Sequence, residues 1–380
     1  MSIGYETNPS RAWRASRSAC PVIMLEIRML MYAAVYEGHG SVVLSELPDP
    51  IVPPSGGLLA VEGSGVCIAD GEVIRGLGGP PHRPPIVLGH EIVGRVAASG
   101  PAASGQIRTL QGRRVIVDDA RPCGKCAFCQ QKAPRCCRSP HYGHIPDEPG
   151  ASWGGYAECV TLDDRSSLHV LEEDLPLELA TFAFPLASGI EWTHRLAALR
   201  ADETVAVVGN SRMGVASVAA AALRKPRRIV LYGSDGGGAA RLAAASLGAE
   251  VADASVAPDG VFDVVVIVTE ATAAETAFGF GLAATMGRVI AASCATDTIA
   301  VEPESIRRRG LTIRGGRGHS SASMDEAIAA LTTRTGWFSE TYFEIFPLDQ
   351  AHKALATMHD RNGTASGTHR VITPPSRRAE

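Results

Sequence analysis

No excess of either charge marks this 380-residue chain: 36 lysines and arginines face 40 aspartates and glutamates, for a net charge of −4, and no long basic block breaks the mixture. Nucleic acid and anionic membrane surfaces are therefore excluded as the main partners. There is also no apolar run long enough to span a bilayer, no internal repeat and no long low-complexity tract. The chain has 45% hydrophobic residues, 40 glycines and 24 prolines, which describes a globular protein of about two domains, expected in the cytoplasm. A secretory leader is not expected at the N-terminus: Glu26 and Arg28 interrupt the apolar run from Pro21 to Met31, and no small-residue cleavage site follows. Residues 1–28 read as a disordered or wrongly included extension, with Met24, Met29 and Met31 as alternative starts.

Cysteine is sparse except in one place. Of the 9 cysteines, four crowd into Cys123-Gly-Lys-Cys126-Ala-Phe-Cys129 and Cys137. Four soft donors on one loop can surround a tetrahedral Zn²⁺ with no position left open, so the spacing predicts a structural zinc lobe over 121–140 rather than a disulfide framework. Such spacing points to a reducing compartment. Lys125, Lys132 and Arg135 lie between the ligands and are expected to offset the thiolate charge.

The first half of the chain has β rhythm. Met31–Tyr36 and Ser41–Glu46 flank Gly38-His-Gly40 as a hairpin, and Gly57–Glu62 follows a proline-rich break. Gly65-Val-Cys67-Ile-Ala-Asp70-Gly-Glu72 reads as a strand running into a glycine-punctuated turn. Later, Pro85-Ile-Val-Leu-Gly-His90-Glu91-Ile-Val sets His90 and Glu91 between strand-like pieces. Thiolate, imidazole and carboxylate are donors that zinc accepts.

From about Leu186 the rhythm becomes α/β. Glu203–Val208 is a buried-strand run, Gly209-Asn-Ser211-Arg212-Met-Gly214 a turn, Val215–Arg224 a helix and Arg228–Tyr232 a second strand. This is a dinucleotide-binding unit in its proper context, with a helix N-terminus aimed at a diphosphate. Its middle glycine is Ser211, which can donate a hydrogen bond, and Arg212 adds charge. The acid that would hold an adenosine ribose is replaced by Gly233-Ser234, and Arg241 lies within reach of a 2′-phosphate. NADP(H) is therefore expected over NAD(H), although Asp235 keeps NAD(H) open. Phe262–Val268, Gly287–Ala292 and Leu311–Arg314 extend the pattern to a six-stranded doubly wound parallel sheet.

The order Cys67-x-x-Asp70, Gly-His90-Glu91, four-cysteine lobe, then βαβ unit resembles the zinc-containing medium-chain alcohol and polyol dehydrogenases across residues 31–375. His141-Tyr-Gly-His144 and Gly154-Gly-Tyr-Ala-Glu158 look most like the branch found in phosphonate gene clusters. The resemblance implies a GroES-like β-rich catalytic domain, residues 29–185 and 326–380, and a Rossmann domain, 186–325. It also implies a homodimer or homotetramer acting on a small-molecule substrate.

Carried over by position, Cys67 and His90 match ligands of a catalytic zinc, Glu91 the acid beside it, Asp70 the carboxylate that orients the histidine, and Arg370 a pyrophosphate contact. Three positions depart from the pattern. The third ligand aligns with Phe184, the relay hydroxyl with Ala69 and the relay histidine with Glu72. Either Cys67, His90 and Glu91 hold the ion with Glu72 as proton acceptor, or the catalytic metal is weakened or lost. The expected activity is hydride transfer between a nicotinamide and a small polar secondary alcohol or carbonyl. Two alternatives are a metal-poor reductase of a C=N or conjugated C=C bond, and a non-catalytic nucleotide-binding or scaffold relative.

Overall fold

The computed structural model describes residues 30–76, 84–131, 134–137, 139, 141–145, 150–233, 238–254, 260–268, 273–292, 298–356 and 367–375. Ser234, Asp235, Lys132 and the N-terminal extension lie outside them.

The glycine- and valine-rich segments of the first half form two sheets. A three-stranded one has the order Ser41–Pro48, Leu30–Gly38, Ile86–Val87. A seven-stranded one runs Phe343–Pro347, His369–Thr373, Gly57–Gly65, Glu91–Ser99, Arg114–Val117, Leu168–Val170, with Cys159–Leu162 also paired to Gly57–Gly65. Register here decides the chemistry. Gly65 pairs with Glu91 and Val371 with Gly65, both antiparallel. Cys67, His90, Glu91 and His369 therefore gather at one end of three neighbouring strands.

The second body is a six-stranded, wholly parallel sheet in the order Glu250–Asp253, Arg228–Gly233, Thr204–Val208, Phe262–Ile267, Ala283–Ala291, Thr312–Gly315. Strand order reverses between Thr204–Val208 and Phe262–Ile267, the place where ligands bind in such sheets. Both strands are largely valine runs because both faces are covered: Val205, Val207, Val264 and Val266 are fully buried on one face, and Ala206, Val265 and Ile267 on the other. Burying each such side chain contributes about 1.5–3 kcal/mol. The edge strand Glu250–Asp253, too short and polar to stand out in the sequence, completes the expected six.

Two local readings change. Cys67-Ile-Ala-Asp70 does not enter a turn: the strand stops at Gly65, and Ile68–Ile74 is a helix with Cys67 at its N-cap. The physical cause is Asp70, whose Oδ2 accepts from the Cys67 backbone N–H at 3.1 Å and so satisfies a donor at the helix start. Gly71 sits inside the helix, and Gly76, with φ +74°, follows its end. The second change is at the expected domain boundary near Leu186, which falls inside one continuous helix, Leu177–Ile190, that runs on into a wider-wound turn over Glu191–Leu196. Its residues from Leu179 to Ile190 are buried, many of them against Val215, Ala216 and Ala219 of the helix Arg212–Leu223, so the two bodies share a core.

Candidate functional site

The four-cysteine lobe assembles from local sequence. The ligand atoms of Cys123, Cys126, Cys129 and Cys137 all lie within 4.8 Å of one another, close enough to share one ion. Backbone N–H groups of Cys123 and Ser139 approach the Cys137 sulfur at 3.4 Å each. Backbone donors from Lys125 and Cys126 pull the Cys123 thiol down to about 6, which favours the thiolate a metal needs. None of the described cysteines forms a disulfide.

Arg135 does not serve the lobe as a counter-charge. Its guanidinium reaches across to Asp118 at 2.7 Å, to Asp119, and to the carbonyl of His319 at 2.6 Å. Asp118, Asp119 and His319 approach one another closely enough to suggest a cation site, and Arg135 is the cation that fills it. The lobe is thereby tied to the helix Ser321–Thr333 that His319 precedes.

In the cleft, the donor atoms of Cys67, His90 and Glu91 also converge within 4.8 Å. Gly65 makes room for them: a Cβ there would stand 2.2 Å from Glu91 Oε2. Asp70, fully buried, accepts from the backbone N–H of Gly89 at 3.3 Å and from Tyr156 Oη at 2.8 Å, and His90 Nδ1 lies 3.4 Å away. Burial pushes the Asp70 carboxyl up, but His90, His144 and the Tyr156 hydroxyl outweigh it and hold it at about 2. An ionised Asp70 facing Nδ1, close but short of a formed hydrogen bond, favours a proton on that nitrogen and leaves Nε2 as the ligand atom. His144 packs edge-on to His90, with ring centroids 5.3 Å apart. Gly143, with φ +68°, lets its loop lie directly on the Gly89 backbone.

Tyr156 and His144 thus join the site although neither has a spacing that assigns it. Both stood in segments that only the family resemblance singled out.

The nucleotide turn lies at the carboxyl end of Thr204–Val208. Gly209 takes φ +123°, and at Gly214 a Cβ would sit 1.9 Å from the Gly209 carbonyl, so the turn closes only around glycine. Ser211 caps the helix Arg212–Leu223, and its buried hydroxyl has no hydrogen-bond partner among the described residues. Arg212 is not held at the turn. Its guanidinium is buried against Glu91, Nη2 to Oε1 at 2.5 Å and Nη1 to Oε2 at 2.7 Å, with His369 Nδ1 3.3 Å from Nη1.

Other residues expected at the cofactor are engaged elsewhere. Arg241 pairs with Asp253 at 2.9 Å. Arg370 donates to Glu344 at 3.2 Å and to the Ala354 carbonyl at 3.3 Å, inside its own domain. Gly233 ends its strand against the Asn210 side chain, where a Cβ would lie 2.6 Å from Asn210 Cβ.

Glu72 lies half-buried on the Ile68–Ile74 helix, where burial raises its carboxyl above the ordinary value despite Arg75. Ala69, three residues earlier on the same helix, carries no hydroxyl. Phe184 is sunk among Phe182, Leu186 and Ala187, with its ring 6.1 Å from that of His319, and offers no donor atom.

Comparison with known proteins finds relatives in sequence and in fold. Residues 54–173 match the alcohol dehydrogenase GroES-like domain. A Mycobacterium tuberculosis protein named "probable alcohol dehydrogenase" is 31% identical over 365 residues, covering 90% of this chain and 98% of the relative. An erythritol/L-threitol dehydrogenase of Mycolicibacterium smegmatis is 30% identical over 201 residues, 50% of this chain and 54% of the relative. Among solved structures, the acetophenone reductase of Geotrichum candidum, in complex with NAD, superposes with a TM-score of 0.77 at 20% identity, over 92% of this chain and 98% of that one. An NADP-bound zinc-binding dehydrogenase of Sinorhizobium meliloti gives 0.77 at 24% identity, over 91% and 99%.

Proposed function

Because the chain belongs to the alcohol dehydrogenase family, we propose that it moves a hydride between a nicotinamide and the carbinol carbon of a small, polar secondary alcohol. The convergence of Cys67, His90 and Glu91 beside Arg212 of the nucleotide turn carries this reading, because it brings a metal-type donor set and a dinucleotide turn to one cleft.

The residues suit the groups that the family implies. The lobe's four sulfurs suit a structural zinc with no open position. Cys67, His90 and Glu91 suit a second ion, in the space that Gly65 leaves. The orphaned Ser211 hydroxyl at a helix N-terminus suits a diphosphate oxygen. A metal in the cleft would polarise the substrate oxygen as a Lewis acid, and the nicotinamide would supply or accept the hydride.

The remaining work falls to the chain. Asp70 keeps His90 in one tautomer, and Tyr156 keeps Asp70 in place. Glu72, its affinity for a proton raised by burial, is suited to take the alcohol proton that a hydroxyl at Ala69 cannot relay. Gly233 in place of an acid removes repulsion toward a 2′-phosphate and supports NADP(H). A cytoplasmic homodimer or homotetramer is the matching state, and among the described residues no helix is long and apolar enough to cross a membrane.

The test is oxidation of a panel of secondary alcohols and polyols with each cofactor, read by the absorbance of the reduced nicotinamide. Turnover should appear with at least one polyol and be faster with NADP⁺. No turnover with any substrate, together with no nucleotide binding, would leave the scaffold reading standing instead.

A further inference from the structure

Among the three cleft donors, Glu91 is the one already bound on both of its oxygens by a cation. The ion pair with Arg212 is two-pronged and almost closed to solvent, with side-chain exposures of 8% for the arginine and 5% for the glutamate. It is also backed. His369 Nδ1 faces Nη1 at 3.3 Å, and Thr181 Oγ1 lies 2.9 Å from the far ring nitrogen, so the guanidinium is held from behind as well as in front. Two-pronged guanidinium–carboxylate pairs are among the strongest polar contacts, and separating a buried one strands a charge without a partner. A dication approaching Glu91 must share it with that guanidinium and meets its positive charge at short range. Asp70 cannot compensate, because its oxygens already face Cys67 N, Gly89 N, Tyr156 Oη and His90.

We infer that Arg212 keeps Glu91 from acting as a full ligand, so that the cleft holds its metal through Cys67 and His90 and gives it up far more readily than the four-cysteine lobe does. The inference rests on the reading that a metal enters the cleft at all. It makes the nucleotide turn, from which Arg212 projects, a determinant of metal affinity, and it assigns Arg212 as a positioning residue.

The experiment counts zinc on the full chain after gel filtration and titrates the bound ions with a chromogenic chelator, with the lobe's ion as an internal check that each variant is folded. The natural chain should hold one chelator-resistant ion and one labile ion. Arg212→Met should tighten the labile ion about ten- to a hundredfold, the usual reach of a group bonded to a metal ligand. In the Arg212→Met background, where no guanidinium is left unpaired, a further Glu91→Gln should cancel most of that gain.

Two equally resistant ions in the natural chain, or a labile ion indifferent to Arg212→Met, would overturn the inference and leave the metal reading intact. A cleft that takes no ion in either form would overturn both. If Arg212→Met loses the lobe ion and fails to fold, Arg212→Gln, which can still donate to Glu91 without carrying a charge, decides in its place. A labile ion tightened about tenfold or more would support the inference, and one left unchanged would overturn it.

Discussion

The four-cysteine lobe and the Cys67–His90–Glu91 cleft gather donors to the same closeness, but they differ in what stands around them. In the lobe all donors are sulfurs from a single loop, its half-buried neighbour Arg135 is turned away to Asp118 and Asp119, and backbone N–H groups favour the Cys123 and Cys137 thiolates. In the cleft the donors come from a helix cap, a loop and a strand start, and a guanidinium from the other domain occupies the carboxylate. A site made from one segment is insulated from the rest of the fold. A site made from several takes its properties from whichever side chains the packing delivers.

Breaking the lobe should have the largest consequence. Cys137→Ser removes a ligand from a closed site, and structural zinc contributes on the order of 10 kcal/mol in small zinc domains. The variant should lose its chelator-resistant ion and melt at clearly lower temperature by calorimetry. An unchanged ion count and melting curve would dissolve the distinction between the two sites.

Arg135→Ala comes next, because it takes the guanidinium from Asp118 and Asp119, at about 3–5 kcal/mol of stability. Burial raises both carboxyls, but Arg135 outweighs it and holds them below the ordinary carboxylate value. Depressed acids stabilise the fold above their unfolded pKa of about 4, and that stabilisation is lost as pH falls through the folded value. The gap between natural chain and variant in denaturant melts should therefore be widest near neutral pH and narrow below pH 4 or so. A gap independent of pH would show that the anchor works by packing instead.

Asp70→Asn sharpens the comparison from the cleft side. It should cut turnover or cleft metal affinity about ten- to a hundredfold while leaving the lobe's ion in place, as expected for a carboxylate behind a ligand histidine. Equal loss of both ions would mean that the two sites are not independent. The smallest effect falls to Glu72→Gln, expected to slow turnover by roughly tenfold or more and flatten the acidic limb of the rate profile, with melting temperature unchanged. Unaltered turnover would remove Glu72 from proton transfer.

How much of this was legible follows the same division. The lobe was readable because its ligands lie within fifteen positions of one another, and the Gly209 turn because strand, turn and helix are contiguous. Cys67, His90 and Glu91 were readable through motif order, although the helix that Asp70 caps was taken for a turn because Gly71 looks like punctuation. The destinations of Arg212 and Arg135 were not readable. Arg212 reaches Glu91 more than a hundred positions away, and Arg135, besides its near neighbours Asp118 and Asp119, reaches His319 beyond the whole nucleotide sheet. Tyr156 and His144 escaped for the same reason: nothing near them in the chain hints at Asp70 or His90.

The amino-acid order alone determined the elements whose causes are local: the sulfur-rich loop, the glycine turn, the apolar runs that become parallel strands, and the absence of any hydroxyl at Ala69 or donor at Phe184. Only the folded chain decided which charges meet. Antiparallel register set Gly65 against Glu91, and the shared helical core brought Arg212 to the same place. Ion pairing depends on distance through space, and a long side chain fixes its partner only once packing has removed water and every competing one.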